Sequence, residues 1–255
     1  MLISHRKNFI FTKTVKTAGT SVESYFERYC MPEGEWGKLH ARDEYISEFG
    51  IVGYRGDNSR NSIWYNHMPA SKIRNQINQI DQDIWHNYFK FTVVRNPFDK
   101  MISGFLMYEK MKQDYEQNKH NYSLTQRLKS YTKRQVLKRL HRADLIFDLA
   151  GETKIERFRS WVKKGGGVID RDKYLINGKQ CVDYFIRFED LHQGISHVCN
   201  QLSIPFDSSQ LPEFKKGRRD NKTPVEDYYD RETEMIVRKL YAWEIKRFGY
   251  DFPSI

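Results

Sequence analysis

Residues 8–26, NFIFTKTVKTAGTSVESYF, predict a strand, a short loop and a helix in immediate succession. Phe9–Thr12 is an apolar run of strand length, and Thr20–Tyr29 carries apolar side chains at helical spacing. The small residues between them let backbone N–H groups approach anionic oxygens, and the positive end of the helix would face the same anion. Lys16 adds a mobile positive charge. The segment therefore predicts a loop that binds a phosphate or sulfate group.

The rest of the chain alternates strand and helix patterns, which favours an α/β fold with a central, mainly parallel sheet flanked by helices. Tyr88–Val94 and Tyr184–Phe188 are predicted strands, and Asn177-Gly178 predicts a hairpin turn. Met31–Asn61 is expected to be irregular, with a short strand at Ser62–Asn66. Further helices are predicted at Pro69–Ile80, from Pro97 onward with Asn96 as N-cap, and at Ser123–Leu149, Ile155–Val162, Leu191–Leu202 and Arg231–Phe248. Because no linker or repeat interrupts the pattern, we expect one domain over residues 1–255.

The charge balance indicates anionic partners. The chain carries 43 Lys and Arg against 33 Asp and Glu, a formal net charge of +10. Two basic stretches, Arg127–Arg142 and Lys215–Arg219, are either solvated surface or contacts to an anion. Three cysteines without C-x-x-C spacing argue against a disulfide framework or a zinc site. With no signal peptide and no apolar run of membrane length, a cytoplasmic protein is expected.

Two motifs together resemble those of sulfotransferases that use 3′-phosphoadenosine 5′-phosphosulfate (PAPS). Residues 15–21, VKTAGTS, resemble the family's 5′-phosphosulfate loop, although Val15 stands where proline is usual. Residues 91–103, FTVVRNPFDKMIS, resemble its 3′-phosphate motif. NHMP at 66–69 and RFEDL at 187–191 are also similar to carbohydrate sulfotransferases, above all to soluble bacterial members. The resemblance covers nearly the whole chain and implies a P-loop-like sulfotransferase fold.

The resemblance also implies roles for individual residues. Lys16 would stabilise the leaving phosphate, and Arg95 with Ser103 would bind the 3′-phosphate. The 5′-phosphate would be held by the loop residues Lys16, Thr17, Ala18, Gly19, Thr20 and Ser21. The basic residues Lys215, Lys216, Arg218 and Arg219 would include a contact to the nucleotide, with Arg218 and Arg219 as candidates. The alternatives are a surface role for Lys16, a salt bridge to Asp99 for Arg95, and close helix packing for Ser103.

A histidine is the candidate base of the implied reaction. His67 would take the proton of an acceptor hydroxyl on a carbohydrate or glycolipid, and its alternative is a structural hydrogen bond near the turn before Pro69. A carboxylate base is the chief rival, with Glu23 and Asp43 as candidates that lack motif support. We expect no essential metal and no nucleic-acid partner. The product of the PAPS donor would be adenosine 3′,5′-bisphosphate.

Two other functional classes stay open at the level of sequence. A nucleotide-dependent kinase would carry G-x-x-x-x-G-K-[ST], whereas here Lys16 precedes Gly19. A non-enzymatic nucleic-acid or polyanion-binding protein would explain the basic stretch Arg127–Arg142, but no recognised nucleic-acid-binding motif accompanies it. Magnesium-dependent ATP binding would favour the first class, and salt-sensitive DNA binding the second.

Overall fold

The structure, a computed structural model, describes residues 1–56, 62–118, 149–212, 214 and 223–253. The chain divides into two compact units, which we name by their content. The sheet unit contains Met1–Arg95 and Asp170–Lys216, and the helical unit contains Asn96–Ile169 and Gly217–Ile255. The expectation of a single domain over residues 1–255 stays a prediction.

The strands that the structure describes all lie in the sheet unit. They are β1 Leu2–Ser4, β2 Phe9–Phe11, β3 Tyr45–Ser47, β4 Gly50–Val52, β5 Phe89–Val94, β6 Leu175–Ile176, β7 Lys179–Gln180 and β8 Tyr184–Arg187. Six of them form one sheet in the order β3-β4-β1-β2-β5-β8, and β6 pairs with β7 in a separate hairpin. Asn177 and Gly178 have φ values of 52° and 76°, which confirms the predicted hairpin turn.

The sheet is mixed, so the α/β class is confirmed but the mainly parallel sheet is wrong. Strand β5 pairs in parallel with β2 and β8, whereas β1–β2, β1–β4 and β3–β4 are antiparallel. Strands β1, β3 and β4 were not predicted, because each has only three residues and includes a Ser or Gly, unlike the apolar run Phe9–Phe11. Ser62–Asn66 is not a strand; Tyr65 makes only an isolated bridge to Tyr54.

The direction in which each strand runs decides which strand ends lie together at one edge of the sheet. Strand β4 is antiparallel to β1, and β1 is antiparallel to β2, so β4 runs in the same direction as β2. Strands β5 and β8 share that direction because they extend the parallel pairing from β2. The carboxyl ends of β4, β2, β5 and β8 therefore lie at one edge of the sheet, where ligands of α/β proteins commonly bind.

Helices cover both faces of the sheet. The described helices are α1 Gly19–Phe26, α2 Ala70–Ile80, α3 Gln82–Asn87, α4 Pro97–Asn118, α5 Lys154–Lys163, α6 Leu191–Gln201, α7 Arg231–Leu240 and α8 Ala242–Phe248. Alternate side chains of β2 point to opposite faces. Phe9 and Phe11 are buried with residues of α1 and α6, while Ile10 is buried with residues of α2 and α3. The predicted strand β2 and helix α1 are thus confirmed.

In the described part of the helical unit, α4, α5, α7 and α8 surround an aromatic core. Asn96 Oδ1 accepts the Phe98 N–H at 3.0 Å, as predicted for an N-cap. The predicted helix Arg231–Phe248 is two helices, because Tyr241 leaves helical geometry and its hydroxyl bonds both backbone groups of Val168. Ser123–Leu149, except Leu149, and Lys215–Arg219 lie outside the described residues. Among the helices that the structure describes, none has the length and apolar composition of a membrane span.

Candidate functional site

The loop Val15–Ser21, here called the anion loop, follows β2 and leads into α1. Lys16 and Ala18 have φ values of 64° and 57°, a left-handed backbone conformation that residues with a Cβ rarely adopt. His67 shares this conformation at 57°. Such strained residues concentrate at functional sites, where the surrounding structure holds them in place. Three of the six described non-glycine residues with positive φ thus belong to segments that the sequence motifs indicate.

The first turn of α1 presents backbone donors. Ala18 is the N-cap and makes no side-chain capping bond, while its carbonyl oxygen accepts the N–H groups of Ser21 and Val22 at 2.9 and 3.2 Å. The N–H groups of Gly19 and Thr20 have no partner within the helix, since the opening turn has none to offer. A Cβ on Gly19 would lie 3.0 Å from Lys13 Cγ and 3.2 Å from the Thr14 oxygen, so the loop packs too closely for a larger residue. This arrangement suits a phosphate or sulfate oxygen.

Threonines tie the anion loop to the neighbouring parallel strand β5. The Thr12 N–H donates to the Phe91 oxygen at 3.0 Å, and the Thr92 hydroxyl donates to the Thr12 oxygen at 2.7 Å. The Thr14 hydroxyl donates to the Val93 carbonyl and lies 2.8 Å from the Thr17 hydroxyl. Because β5 is buried, these bonds give the loop a rigid base.

Asp170 is a loop contact that sequence analysis missed. Its side chain is 2% exposed, and Oδ2 accepts the N–H of Val15 at 2.9 Å. Proline, usual at this position in the proteins that the loop resembles, would have no N–H to satisfy. No local pattern links two residues so far apart in the sequence, although an aspartate just before the Arg171–Lys173 turn is an ordinary turn signal.

Arg95 joins the second motif to the first. It follows β5 directly, and its Nη1 donates to the Lys16 carbonyl oxygen at 2.9 Å. The guanidinium also stacks on Phe188, with Cζ 4.0 Å from the ring centroid, which fixes the plane of the fork. The structure therefore brings Lys16 and Arg95 together. Ser103 is a half-buried residue of α4 in the helical unit, and Arg218 and Arg219 lie outside the described residues.

His67 is held as a neutral imidazole. Its Nδ1 lies 3.1 Å from the Lys13 carbonyl oxygen. Since a carbonyl only accepts, Nδ1 carries the hydrogen and Nε2 keeps its lone pair. Burial, followed by the charges of Lys13 and the N-terminal amine, lowers the pKa of His67 to about 3. His67 therefore makes a structural hydrogen bond, which the sequence offered as its alternative role. The same bond leaves Nε2 with a lone pair that can accept a proton.

Glu23 belongs to a buried ion cluster with Lys13, Glu27, Arg42 and Arg55. Its carboxylate is 2.7 Å from Lys13 Nζ and 3.0 Å from Arg55 Nη1, and its side chain is fully buried. Burial alone would raise the pKa of Glu23, but Lys13, the N-terminal amine and Arg55 outweigh burial and hold it well below its usual range. A carboxylate so stabilised accepts no proton from a substrate, so Glu23 is wrong as a candidate base.

Asn66 precedes His67 and has an unusual side chain. Its Oδ1 is buried and has no hydrogen-bond partner among the residues that the structure describes. Its backbone N–H donates to the Tyr54 oxygen at 2.8 Å. A buried acceptor without a donor is costly in a folded protein, which makes Asn66 a candidate contact for a bound group. Its place in the segment 66–69 was the only sequence signal for it.

Comparisons with known proteins extend over almost the whole chain. A family model with the description "Sulfotransferase family" matches residues 1–251. No curated protein and no solved structure matches the chain significantly. Within the described ranges, no group of three or more His, Cys, Asp or Glu residues is arranged to hold a metal ion.

Proposed function

The chain belongs to the sulfotransferase family, and on this premise we propose that it moves a sulfuryl group from PAPS directly to an acceptor hydroxyl. The observation that carries the proposal is the 2.9 Å bond from Arg95 to the Lys16 carbonyl. It joins a loop suited to one phosphate with an arginine suited to another, at the carboxyl ends of the parallel strands β2 and β5. A doubly phosphorylated nucleoside needs two such sites.

The residues of the anion loop fit the 5′ end of the donor. The N–H groups of Gly19 and Thr20, and the hydroxyls of Thr20 and Ser21, would bind its phosphate oxygens. Arg95, with Ser103 from α4 and Arg218 or Arg219, would bind the 3′-phosphate. The donor, when bound, supplies the sulfuryl group and a stable phosphate leaving group. Sulfuryl transfer, like phosphoryl transfer, then depends on positioning and on charge stabilisation.

Lys16 and His67 would supply the positive charge and the base that the transfer requires. Lys16 would place its ammonium beside the bridging oxygen, where negative charge develops as the bond to sulfur breaks. His67 Nε2 would accept the proton of the acceptor hydroxyl. The anionic donor would stabilise the imidazolium and raise the pKa of His67 while the proton is transferred. Until then, the low pKa of His67 keeps its ring deprotonated.

Further parts of the proposal rest on the family and on sequence. We place the acceptor hydroxyl on a carbohydrate or glycolipid, and we regard residues 1–255 as one P-loop-like domain of a cytoplasmic enzyme. The strand–loop–helix unit of β2 and α1, with β5 parallel to β2, supports the P-loop-like part. No metal and no nucleic acid enter the proposed reaction, because Lys16 and Arg95 supply the positive charge.

A binding comparison tests the proposal without knowledge of the acceptor. Thermal shift and titration calorimetry, without magnesium, would compare adenosine 3′,5′-bisphosphate with ATP, AMP and NADP. We expect the bisphosphate to bind most tightly, and Arg95→Ala to weaken it about tenfold to a hundredfold. Arg231→Ala, at an exposed position of α7, is the matched control and should change nothing. Preferential, magnesium-dependent ATP binding would instead support a kinase.

A further inference from the structure

A cavity of about 340 Å³ lies in the sheet unit apart from the anion loop. Its lining includes Arg42, Asp43, Glu44, Tyr45, Tyr54 and Arg55. We propose that this cavity is the acceptor subsite and that it holds a neutral, polyhydroxylated sugar ring; this inference rests on the proposed function. The volume falls within the range of about 300–1,000 Å³ that is typical of small-molecule sites.

The sheet topology places the cavity at the same edge as the anion loop. Tyr54 and Arg55 follow β4, and the carboxyl end of β4 lies at the edge shared with β2 and β5. In the sheet order, only β1 separates β4 from β2. Two strand spacings amount to about 10 Å along this edge. A sugar in the cavity would thus lie close to a group bound by the anion loop.

Both walls of the cavity are bonded to the segment that leads into His67. The Tyr54 oxygen accepts the Asn66 N–H at 2.8 Å. On the other wall, the Glu44 carboxylate accepts the N–H groups of Trp64 and Ile63 at 2.5 and 3.3 Å. His67 follows this segment immediately, so the cavity and the proposed base share one backbone frame.

The arginines of the cavity are already committed to protein partners. Arg55 is 2% exposed, and its Nη1 donates to Glu23 and Glu27 at 3.0 and 2.8 Å. Its Nε and Nη2 donate to the His40 and Leu39 oxygens, each at 2.8 Å. Arg42 donates to Glu27 at 3.0 Å and to the Gly37 oxygen at 2.8 Å. Both guanidinium groups are therefore bonded to acceptors within the protein.

Asp43 is the lining charge that is left for a ligand. Its side chain is exposed, and no hydrogen bond or ion pair joins it to the part of the chain that the structure describes. A carboxylate accepts hydrogen bonds at both oxygens, which suits neighbouring hydroxyls of a sugar and opposes an acidic acceptor. The half-buried rings of Tyr45 and Tyr54 add apolar surface, and the Tyr45 hydroxyl is fixed by Glu35 at 2.9 Å.

The experiment measures binding of two defined glycosides to the full chain. The probes are 4-nitrophenyl β-D-galactopyranoside, which is neutral, and 4-nitrophenyl β-D-glucuronide, which is acidic. Asp43→Ala removes the free carboxylate, and Ala41→Trp fills the cavity without a change of charge. Glu48→Ala, at an exposed position of the β3–β4 turn, is the control with the same change of charge. The dissociation constant of adenosine 3′,5′-bisphosphate is measured in every protein.

We expect the galactoside to bind the unmodified chain, and Asp43→Ala and Ala41→Trp each to weaken it at least about tenfold. Glu48→Ala should leave it unchanged, and the glucuronide should bind at least about tenfold more weakly than the galactoside. Absence of galactoside binding, equal binding in all variants, or a preference for the glucuronide would overturn the inference. Unchanged bisphosphate affinity shows that the variants are folded. Loss of bisphosphate binding by the unmodified chain would instead overturn the proposed function, whatever the glycosides do.

Discussion

Lys13 and Lys16 lie three residues apart between β2 and α1, yet their surroundings are opposite. Lys13 is 1% exposed, and its ammonium is 2.7 Å from the Glu23 carboxylate. Lys16 is half-buried in the anion loop, where its φ is 64°. Its carbonyl oxygen accepts a hydrogen bond from Arg95. The same residue type thus serves the interior in one place and, in the proposed function, a ligand site in the other. What holds Lys13 in the interior is the carboxylate of Glu23, with which its ammonium pairs.

The largest expected effect is on stability, from loss of the interior cation. Lys13→Met leaves Glu23 with one fewer buried partner, and we expect the free energy of unfolding to fall by about 3–5 kcal/mol. Lys16→Met should change it by no more than about 0.5 kcal/mol, as for ordinary surface positions. Urea denaturation of the two variants and the parent measures both values. Equal losses would remove the distinction between the two lysines.

The pH dependence of stability should also distinguish the two lysines. The pKa of Glu23 is lowered from 4.5 in the fold, because its cationic partners outweigh burial. Below that pH the unfolded chain binds a proton that the folded chain does not, so stability present above about pH 4.5 is lost as the pH falls. Lys13→Met should reduce this pH dependence, whereas Lys16→Met should keep it. Denaturation at pH 3 to 6 compares the slopes.

The next effect concerns His67, which the Lys13 carbonyl orients. His67→Ala should lower kcat about 10²- to 10⁴-fold, as expected for loss of a general base, and leave bisphosphate affinity unchanged. Because the pKa of His67 is held near 3, its NMR ring signals in the ligand-free protein should stay constant from pH 5 to 8. A titration centred near 6.5 would show that burial and Lys13 do not act as described.

Turnover should depend on Lys16 and not on Lys179, a lysine at an exposed position of β7. Lys16→Met should lower kcat about 10²- to 10³-fold, because charge on the leaving oxygen loses its partner. The dissociation constant of adenosine 3′,5′-bisphosphate should stay within about threefold. Lys179→Met, at an exposed position of β7, controls for the loss of one positive charge. Unchanged turnover in Lys16→Met would exclude Lys16 from the transfer step.

The smallest effect tests what shapes the anion loop. Asp170→Ala should weaken bisphosphate binding about tenfold, because the Val15 N–H loses its acceptor. Val15→Pro removes that N–H, and Val15 is not among the residues with positive φ. In the proline background, Asp170→Ala should therefore cost less, with a coupling of about 1 kcal/mol in a double-mutant cycle. Additive effects would show that Asp170 acts through other contacts.

Sequence reasoning succeeded where neighbouring residues decide the outcome. The strand–loop–helix unit of β2 and α1, the cap at Asn96 and the turn at Asn177-Gly178 all follow from patterns a few residues long. Strands β1, β3 and β4 were not predicted, because each is only three residues long and the pairing of β1 with β4 links distant segments. Sequence reasoning also treated Glu23 as a candidate base, because nothing local reveals that three cations surround that carboxylate.

The amino-acid sequence by itself determined the two motifs proposed to bind the donor and their positions after strands, because short-range sterics and hydrogen bonding suffice to form them. Only the tertiary structure decided three contacts. Arg95 donates to the Lys16 carbonyl, Asp170 accepts the Val15 N–H, and the ammonium of Lys13 pairs with the carboxylate of Glu23. These contacts join residues from separate strands and helices. They form only when burial of the sheet's two apolar faces brings those elements together.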